Sequence, residues 1–144
     1  MIVIDANLLI YAYNEQMPQH MPSRIWLEET LSSNLEVGIP MQAILAFIRL
    51  STNTKLHGPH SSVATALSVI DSWLTQASVQ ILHPGQRHWE IFRRLSVEAG
   101  ASGNLSTDAH IAALAIEYDA LLYSADADFA RFPGLHWKNP LVGK

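Results

Sequence analysis

The sequence predicts an α/β fold in which a central, mostly parallel β-sheet lies between helices. Short runs of apolar residues alternate with longer segments whose apolar residues recur every three or four positions, the patterns of strands and amphipathic helices. The first run, Ile2–Ile4, is β-branched and uninterrupted, which is typical of a parallel strand buried on both faces. Strands that alternate with helices predict parallel pairing, with helices covering both faces of the sheet.

The elements follow from these patterns in chain order. Strands are predicted at residues 2–4, 37–39, 79–82 and 121–123, with a last short strand near 135–137. Helices are predicted from Leu8 to Ala12 and at 23–32, 41–51, 62–75, 87–99 and 105–118. Two segments are predicted as loops, because each contains prolines or glycine: residues 15–22, and residues 53–61 with Gly58 and Pro59. Gly100 and Gly103 predict a break before the last helix.

Length and composition restrict the class of protein. The 144 residues, 1–144, are expected to form a single domain, and the absence of cysteine excludes thiol catalysis, disulfides and cysteine-based zinc sites. Neither a signal peptide nor an apolar stretch of roughly 18 residues is found, so no membrane span is expected and a cytoplasmic protein is predicted. The net charge of −4 disfavours a general polyanion binder. Any nucleic-acid function must therefore depend on a local basic patch or on metal ions.

Aspartates follow two predicted strands and begin one helix. Asp5 ends the first strand, Asp126 and Asp128 follow the fourth, and Asp108 lies in the first turn of the helix before the fourth strand. If those two strands are neighbours, the carboxylates converge at one end of the sheet, where ligands bind in such folds. Crowded carboxylates repel one another and raise one another's pKa unless a cation is bound, and oxygen ligands suit Mg²⁺ or Mn²⁺. The pattern predicts metal-assisted phosphodiester hydrolysis.

Each acid also has a structural explanation. Asp108 can interact with the dipole at its helix N-terminus, and Asp126 and Asp128 can cap the turn before Phe129. Asp5 is harder to explain in this way, because a charge at the end of a buried strand is costly unless it is paired or bound to metal. The combination of the four acids is therefore more informative than any one of them.

Several segments resemble PIN-domain ribonucleases, in particular the VapC-type toxins of bacterial toxin–antitoxin pairs. These segments are Val3–Ala12, Asn104–Ala115, Ser124–Phe129 and Phe132–Leu141, and the resemblance spans essentially the whole chain. It implies a PIN-like three-layer α/β/α sandwich and an endoribonuclease dependent on Mg²⁺ or Mn²⁺. It also implies single-stranded or tRNA-like RNA substrates, a homodimer, and inhibition by a cognate VapB-type antitoxin.

The resemblance also assigns roles to individual residues. It implies that Asp5, Asp108 and Asp126 coordinate the metal and that Asp128 assists. One position departs from the family pattern: Ala46 stands where many members have a glutamate, just before Phe47. This substitution puts the metal affinity and the occupancy of a second metal site in question.

Other polar residues have both a functional and a structural interpretation. Arg49 can contact the acids or a phosphate, or form a structural ion pair. Asn104 and Ser124 can orient metal ligands, or act as caps or turn residues. A second group is basic and can form an RNA-binding strip, although a solvated helix face is favoured: Lys55, Arg87, Arg93 and Arg94. A third group of histidines is expected at the surface: His57, His60, His83, His88 and His136. His110 is not expected to be a ligand, and the aromatic residues are predicted in the core or a dimer interface: Trp26, Trp73, Trp89 and Phe92.

Two alternative functions remain open. A non-catalytic PIN-like binding module is compatible with Ala46 and the acidic charge, and would bind a protein partner without cleaving RNA. An aspartate-based phosphatase would need a second aspartate two residues after the nucleophile in the first strand, but Asn7 stands there.

Overall fold

The computed structural model describes residues 1–55 and 60–142, which form alternating strands and helices. The strands are β1 (Ile2–Ile4), β2 (Val37–Pro40), β3 (Val79–Leu82), β4 (Leu121–Tyr123) and β5 (Trp137–Lys138). The helices are α1 (Ala6–Tyr13), α2 (His20–Leu31), α3 (Met41–Thr52), α4 (Val63–Leu74), α5 (His88–Glu98) and α6 (Leu105–Glu117). A short 3-10 helix, Ala127–Arg131, follows β4. The predicted loop residues His57, Gly58 and Pro59 lie outside the described residues.

The five strands form one sheet in the order β3-β2-β1-β4-β5, and every adjacent pair is parallel. The strand order reverses at β1, because β2 and β3 lie on one side of it and β4 and β5 on the other. The predicted neighbourhood of the first and fourth strands is therefore confirmed, with Ile4 opposite Tyr123 at their carboxyl ends.

Helices cover both faces of the sheet, as expected for a three-layer α/β/α sandwich. Successive residues of β1 point to opposite faces, so Ile2 and Ile4 pack in one core and Val3 in the other. The first core contains residues of α1, α2, α3 and α4, and the second contains residues of α5 and α6. Within the described residues, no helix is long and apolar enough to cross a membrane.

Three predicted boundaries shift in the structure. Helix α1 begins at Ala6, because Asp5 is its N-cap and accepts the Ala6 N–H. Helix α2 begins at His20, three residues before the predicted start at Ser23. Pro22 is tolerated there because it lies in the first turn, where the N–H groups have no helical partner. Strand β5 begins at Trp137, because Gly134 adopts a φ of +83° and the Leu135 N–H is bound to Phe132 in a turn.

Candidate metal centre

The predicted acids lie together near the carboxyl ends of β1 and β4. Asp5 follows β1 directly, and Asp126 lies three residues after the end of β4, at the N-cap of the 3-10 helix. Asp108 is in the first turn of α6, which packs against the 3-10 helix. The sheet topology thus explains how residues more than 100 positions apart in the sequence meet at one edge.

Three of the four aspartates form a compact group. One carboxylate oxygen from each of Asp108, Asp126 and Asp128 lies within 4.8 Å of the other two. Asp5 is outside that group, but it is close enough for its charge to raise the pKa of Asp108. The structure therefore places Asp128, predicted as an auxiliary residue, as centrally as Asp126.

The Ser124 hydroxyl connects Asp5 to the loop that carries the other acids. Ser124 is completely buried, and its Oγ donates to Asp5 Oδ2 at 2.8 Å. The same oxygen accepts the Asp126 N–H at 3.0 Å, and the Ala6 N–H holds the second oxygen of Asp5 at 2.8 Å. The structure shows both predicted interpretations of Ser124, because it orients Asp5 and also accepts the Asp126 N–H in a local turn. Asn104 is exposed, and its side chain makes no capping hydrogen bond.

Asn7 is a site residue that the sequence reasoning did not identify. Its Nδ2 donates to Ser124 Oγ at 3.1 Å, and its Oδ1 accepts the Ala125 N–H at 3.3 Å. These two bonds attach the first turn of α1 to the loop after β4. The signal was the spacing Asp5-Ala6-Asn7, which the sequence reasoning used only to argue against a phosphatase.

Burial and mutual repulsion raise the pKa of two of the acids. Burial raises the pKa of Asp5, although the Ser124 hydroxyl and the Ala6 N–H oppose the increase. Burial, together with the negative charges of Asp126, Asp5 and Asp128, raises the pKa of Asp108 from 3.8 to about 6. Such repulsion indicates a site that is more stable with a cation present.

The 3-10 helix holds Asp126 and Asp128 by a local cap. Asp126 Oδ1 accepts the Asp128 N–H at 2.9 Å, and the buried Phe129 ring anchors the turn in the core. The capping role expected for Asp126 is therefore confirmed, and it leaves the carboxylate in the acidic group. Arg131, which the sequence reasoning did not identify, lies 3.7 Å from Asp128 and partly offsets the negative charge.

Other predicted residues lie away from the acids or at the surface. Arg49 is exposed near the end of α3 and pairs with no described carboxylate, so neither proposed contact with an acid is found in the described part of the chain. The residues of the predicted basic strip are all exposed to solvent: Lys55, Arg87, Arg93 and Arg94. Arg94 pairs with Glu98 at 3.4 Å. Ala46 is buried on α3.

The structure confirms only part of the predictions made for the histidines and the aromatic residues. Surface placement is confirmed for His60, His83 and His136. It is wrong for His88, which is buried because it shares the face of α5 that packs Ile91 and Leu95 against α6. Core placement is confirmed for two of the aromatic residues, Trp26 and Trp73, whereas Trp89 is 68% exposed.

Comparison with known proteins identifies the family. The sequence matches the PIN domain over residues 2–135. It is 39% identical over 140 residues to Ribonuclease VapC37 of Mycobacterium tuberculosis, covering 97% of each chain. It is 37% identical over 141 residues to Ribonuclease VapC33 of the same organism, covering 98% of this chain and 99% of the relative.

A solved structure shares the fold. A chain of VapBC2 from Rickettsia felis, solved bound to a DNA fragment from their promoter, superposes with a TM-score of 0.70 and 22% identity, covering 96% of this chain and 98% of that chain. Fold, acidic edge and sequence similarity agree with one another. The chain therefore belongs to the PIN-domain family and, within it, to the VapC ribonucleases.

Proposed function

We propose that this protein is an endoribonuclease that hydrolyses RNA phosphodiester bonds with the help of Mg²⁺, or of Mn²⁺. The observation that carries the proposal is the group of three carboxylates within 4.8 Å of one another, beside Asp5 at the carboxyl edge of the sheet. The similarity to relatives named as ribonucleases supports the same activity. Because the proposed substrate is cellular RNA, we expect the protein to act in the cytoplasm.

The donor set fits a hard divalent cation. The grouped side chains offer only carboxylate oxygens, which Mg²⁺ and Mn²⁺ prefer, and no histidine or cysteine that would favour zinc. Burial, and then the repulsion between these charges, raises the pKa of Asp108, and a bound cation would relieve both effects. We assign Asp5, Asp108 and Asp126 as the residues that would hold the ion. The position of Asp128 in the compact group favours a direct role for it as well.

The residues around the ion position set the geometry of the reaction. A bound divalent ion would lower the pKa of a water molecule and stabilise the charge that develops on the phosphate oxygens. Asp5 keeps one orientation because both of its oxygens accept hydrogen bonds, from Ser124 and Ala6. Asp126 is fixed by its cap, and Asp108 projects from a helix. These constraints position the carboxylates before substrate binds, so little reorganisation is needed during the reaction.

Cleavage of RNA tests the proposed function. We expect the purified protein to cut single-stranded RNA or tRNA in Mg²⁺ and to leave both intact in EDTA. Because water is the proposed nucleophile, the products should carry no 2′,3′-cyclic phosphate, which attack by the ribose 2′-hydroxyl would form. Intact RNA in both Mg²⁺ and Mn²⁺, with binding to a protein partner retained, would instead favour the non-catalytic module.

Replacing Ser124 with alanine is expected to reduce cleavage about 10- to 100-fold, the usual cost of losing a group that orients a metal ligand. The variant leaves Asp5 and the Asp126 N–H without their shared partner. The control is Ser72→Ala, which removes an exposed hydroxyl on α4 far from the acids. Equal activity of the two folded variants in a metal titration would contradict the orienting role.

A protein partner is also part of the proposal. Large apolar side chains are exposed on α2, α3 and α4, and exposed apolar surface can mark a protein interface. They are Met21, Ile25, Leu45, Leu50, Val63 and Leu67. A cavity of about 310 Å³ lies between α1 and α3, lined in part by Ile10, Tyr13 and Leu50. We propose that these surfaces serve a cognate VapB-type antitoxin and a second copy of the chain.

Light scattering tests the homodimer. The protein should elute with twice the mass of its 16.0 kDa chain, and the mass should increase further when the antitoxin is co-expressed. A single 16.0 kDa species at micromolar concentration would contradict the dimer.

A further inference from the structure

A second cavity, of about 450 Å³, lies between α5 and the first turn of α6, the turn that carries Asp108. Trp89 and Phe92 of α5 form one wall, and Gln42, Thr107 and His110 line the rest. Thr107 immediately precedes Asp108, and His110 is two residues after it. Residues that line the cavity therefore flank Asp108 along α6, and a helix is about 10–12 Å across with its side chains.

The aromatic wall is open to solvent. Trp89 is 68% exposed, and its ring centroid lies 5.7 Å from that of Phe92. Phe92 in turn stacks against His88, with 15° between the ring planes. An exposed indole held by a row of rings offers a flat surface on which a base can stack, whatever its sequence.

A hydrogen bond between two histidines connects the cavity to the interior. The Glu117 carboxylate is held by the Gly85 and Arg87 N–H groups at 2.8 and 3.0 Å, and lies 4.0 Å from His88 Nδ1, which is buried and has no hydrogen-bond partner among the described residues. His88 Nε2 shares a hydrogen bond with His110 Nδ1, 2.9 Å away. His110 Nε2 has no partner among the described residues, so it can form a hydrogen bond with the edge of a base.

The charges and polar groups near the cavity favour RNA over an apolar protein surface. Arg87 and Arg93 are exposed and pair with no carboxylate in the described ranges, so both are free to meet phosphates. The amide of Gln42 and the hydroxyl of Thr107 likewise have no hydrogen-bond partner among those residues. An apolar partner would bury these groups unsatisfied, which is costly, whereas a base can pair with them.

We propose that this cavity is a nucleobase subsite for single-stranded RNA, in which a base beside the scissile phosphate stacks on Trp89 and forms a hydrogen bond with His110 Nε2. The inference rests on the proposed ribonuclease function and adds to it the position of a substrate base. It assigns Trp89 a role in substrate binding, and that role accounts for the exposure of its apolar ring to solvent.

The test measures RNA binding apart from cleavage. The probe is a fluorescein-labelled single-stranded RNA of random sequence, about 12 nucleotides long, in EDTA. We expect Trp89→Ala to weaken binding roughly 10-fold, the scale of one base–aromatic stack, and Trp89→Phe to restore most of it. Val97→Ala, which alters another exposed apolar residue at the far end of α5, should bind as the wild type does. An abasic ribose-phosphate chain should not distinguish Trp89→Ala from the wild type.

Other outcomes overturn the subsite. Equal RNA binding by Trp89→Ala and the wild type would do so, as would no binding by the wild type. A fall in mass of Trp89→Ala by light scattering, with RNA affinity unchanged, would assign the surface to a second copy of the chain. In Mg²⁺, the variant should raise KM and leave kcat nearly unchanged. If the wild type binds RNA through Trp89 but cleaves none, the ribonuclease function fails and the subsite stands.

Discussion

Replacing Asp108 with asparagine is expected to lower Mg²⁺-dependent RNA cleavage about 100-fold or more while the protein remains folded. Stabilisation by a metal ion contributes several kcal/mol to such a transition state, and each 1.36 kcal/mol corresponds to a tenfold change in rate. Asparagine keeps the shape of the side chain and removes the charge that the ion needs. The same loss is expected for Asp5→Asn, because Asp5 is the acid that Ser124 holds in place.

The folded state of the Asp108→Asn variant provides a second readout. In EDTA the variant should be at least as stable as the wild type, because one of the repelling charges is gone. The matched control is Asp71→Asn, an exposed aspartate on α4 outside the acidic group, which should keep full activity. Full activity of folded Asp108→Asn would remove this residue from the site.

The stability of the metal-free protein is expected to depend on pH through Asp108. Its pKa is about 6 in the folded protein and 3.8 as the ordinary value, so the folded state binds more protons between these two pH values. The free energy of unfolding therefore falls as pH rises from about 4 to about 6, by roughly 1–2 kcal/mol after allowance for partial exposure. Asp5, whose pKa is also raised, acts in the same direction.

Urea denaturation in EDTA at several pH values checks this dependence. The stability of Asp108→Asn minus that of the wild type should increase between pH 4 and about 6 and then level off. Saturating Mg²⁺ should cancel the difference or reverse it, since the ion binds the deprotonated carboxylates. A difference that stays constant across this range would mean that neither burial nor the neighbouring charges raise the pKa of Asp108 in the folded protein.

The position of the acids could be predicted from the sequence because it depends on local pattern and on a rule of topology. Uninterrupted apolar strands predict a parallel sheet, and the carboxyl ends of such strands share one edge. That rule placed Asp5 and Asp126 together on the condition that the first and fourth strands are neighbours, which the pairing of β1 with β4 confirms. Asp128 was assigned a lesser role, since the sequence does not show how a 3-10 helix directs its side chain.

Contacts between distant residues could not be predicted in the same way. Ser124 meets Asn7 and Asp5 across separations of 117 and 119 residues, and no local pattern encodes such a bond. His88 is buried because α5 packs on α6, and the polarity of its side chain gave no sign of this burial. Trp89, one residue along, is directed to solvent by the same helical turn.

Binding of Mn²⁺, measured by electron paramagnetic resonance on the purified wild type and the Asp108→Asn variant, tests most directly whether these carboxylates hold the metal. The free-ion signal should disappear as the wild type is added, because bound Mn²⁺ loses its sharp spectrum. Added Mg²⁺ should restore the signal, and Asp108→Asn should leave it largely unchanged. A wild type that binds no Mn²⁺, or a folded Asp108→Asn variant that binds it equally well, would contradict a metal centre at this edge of the sheet.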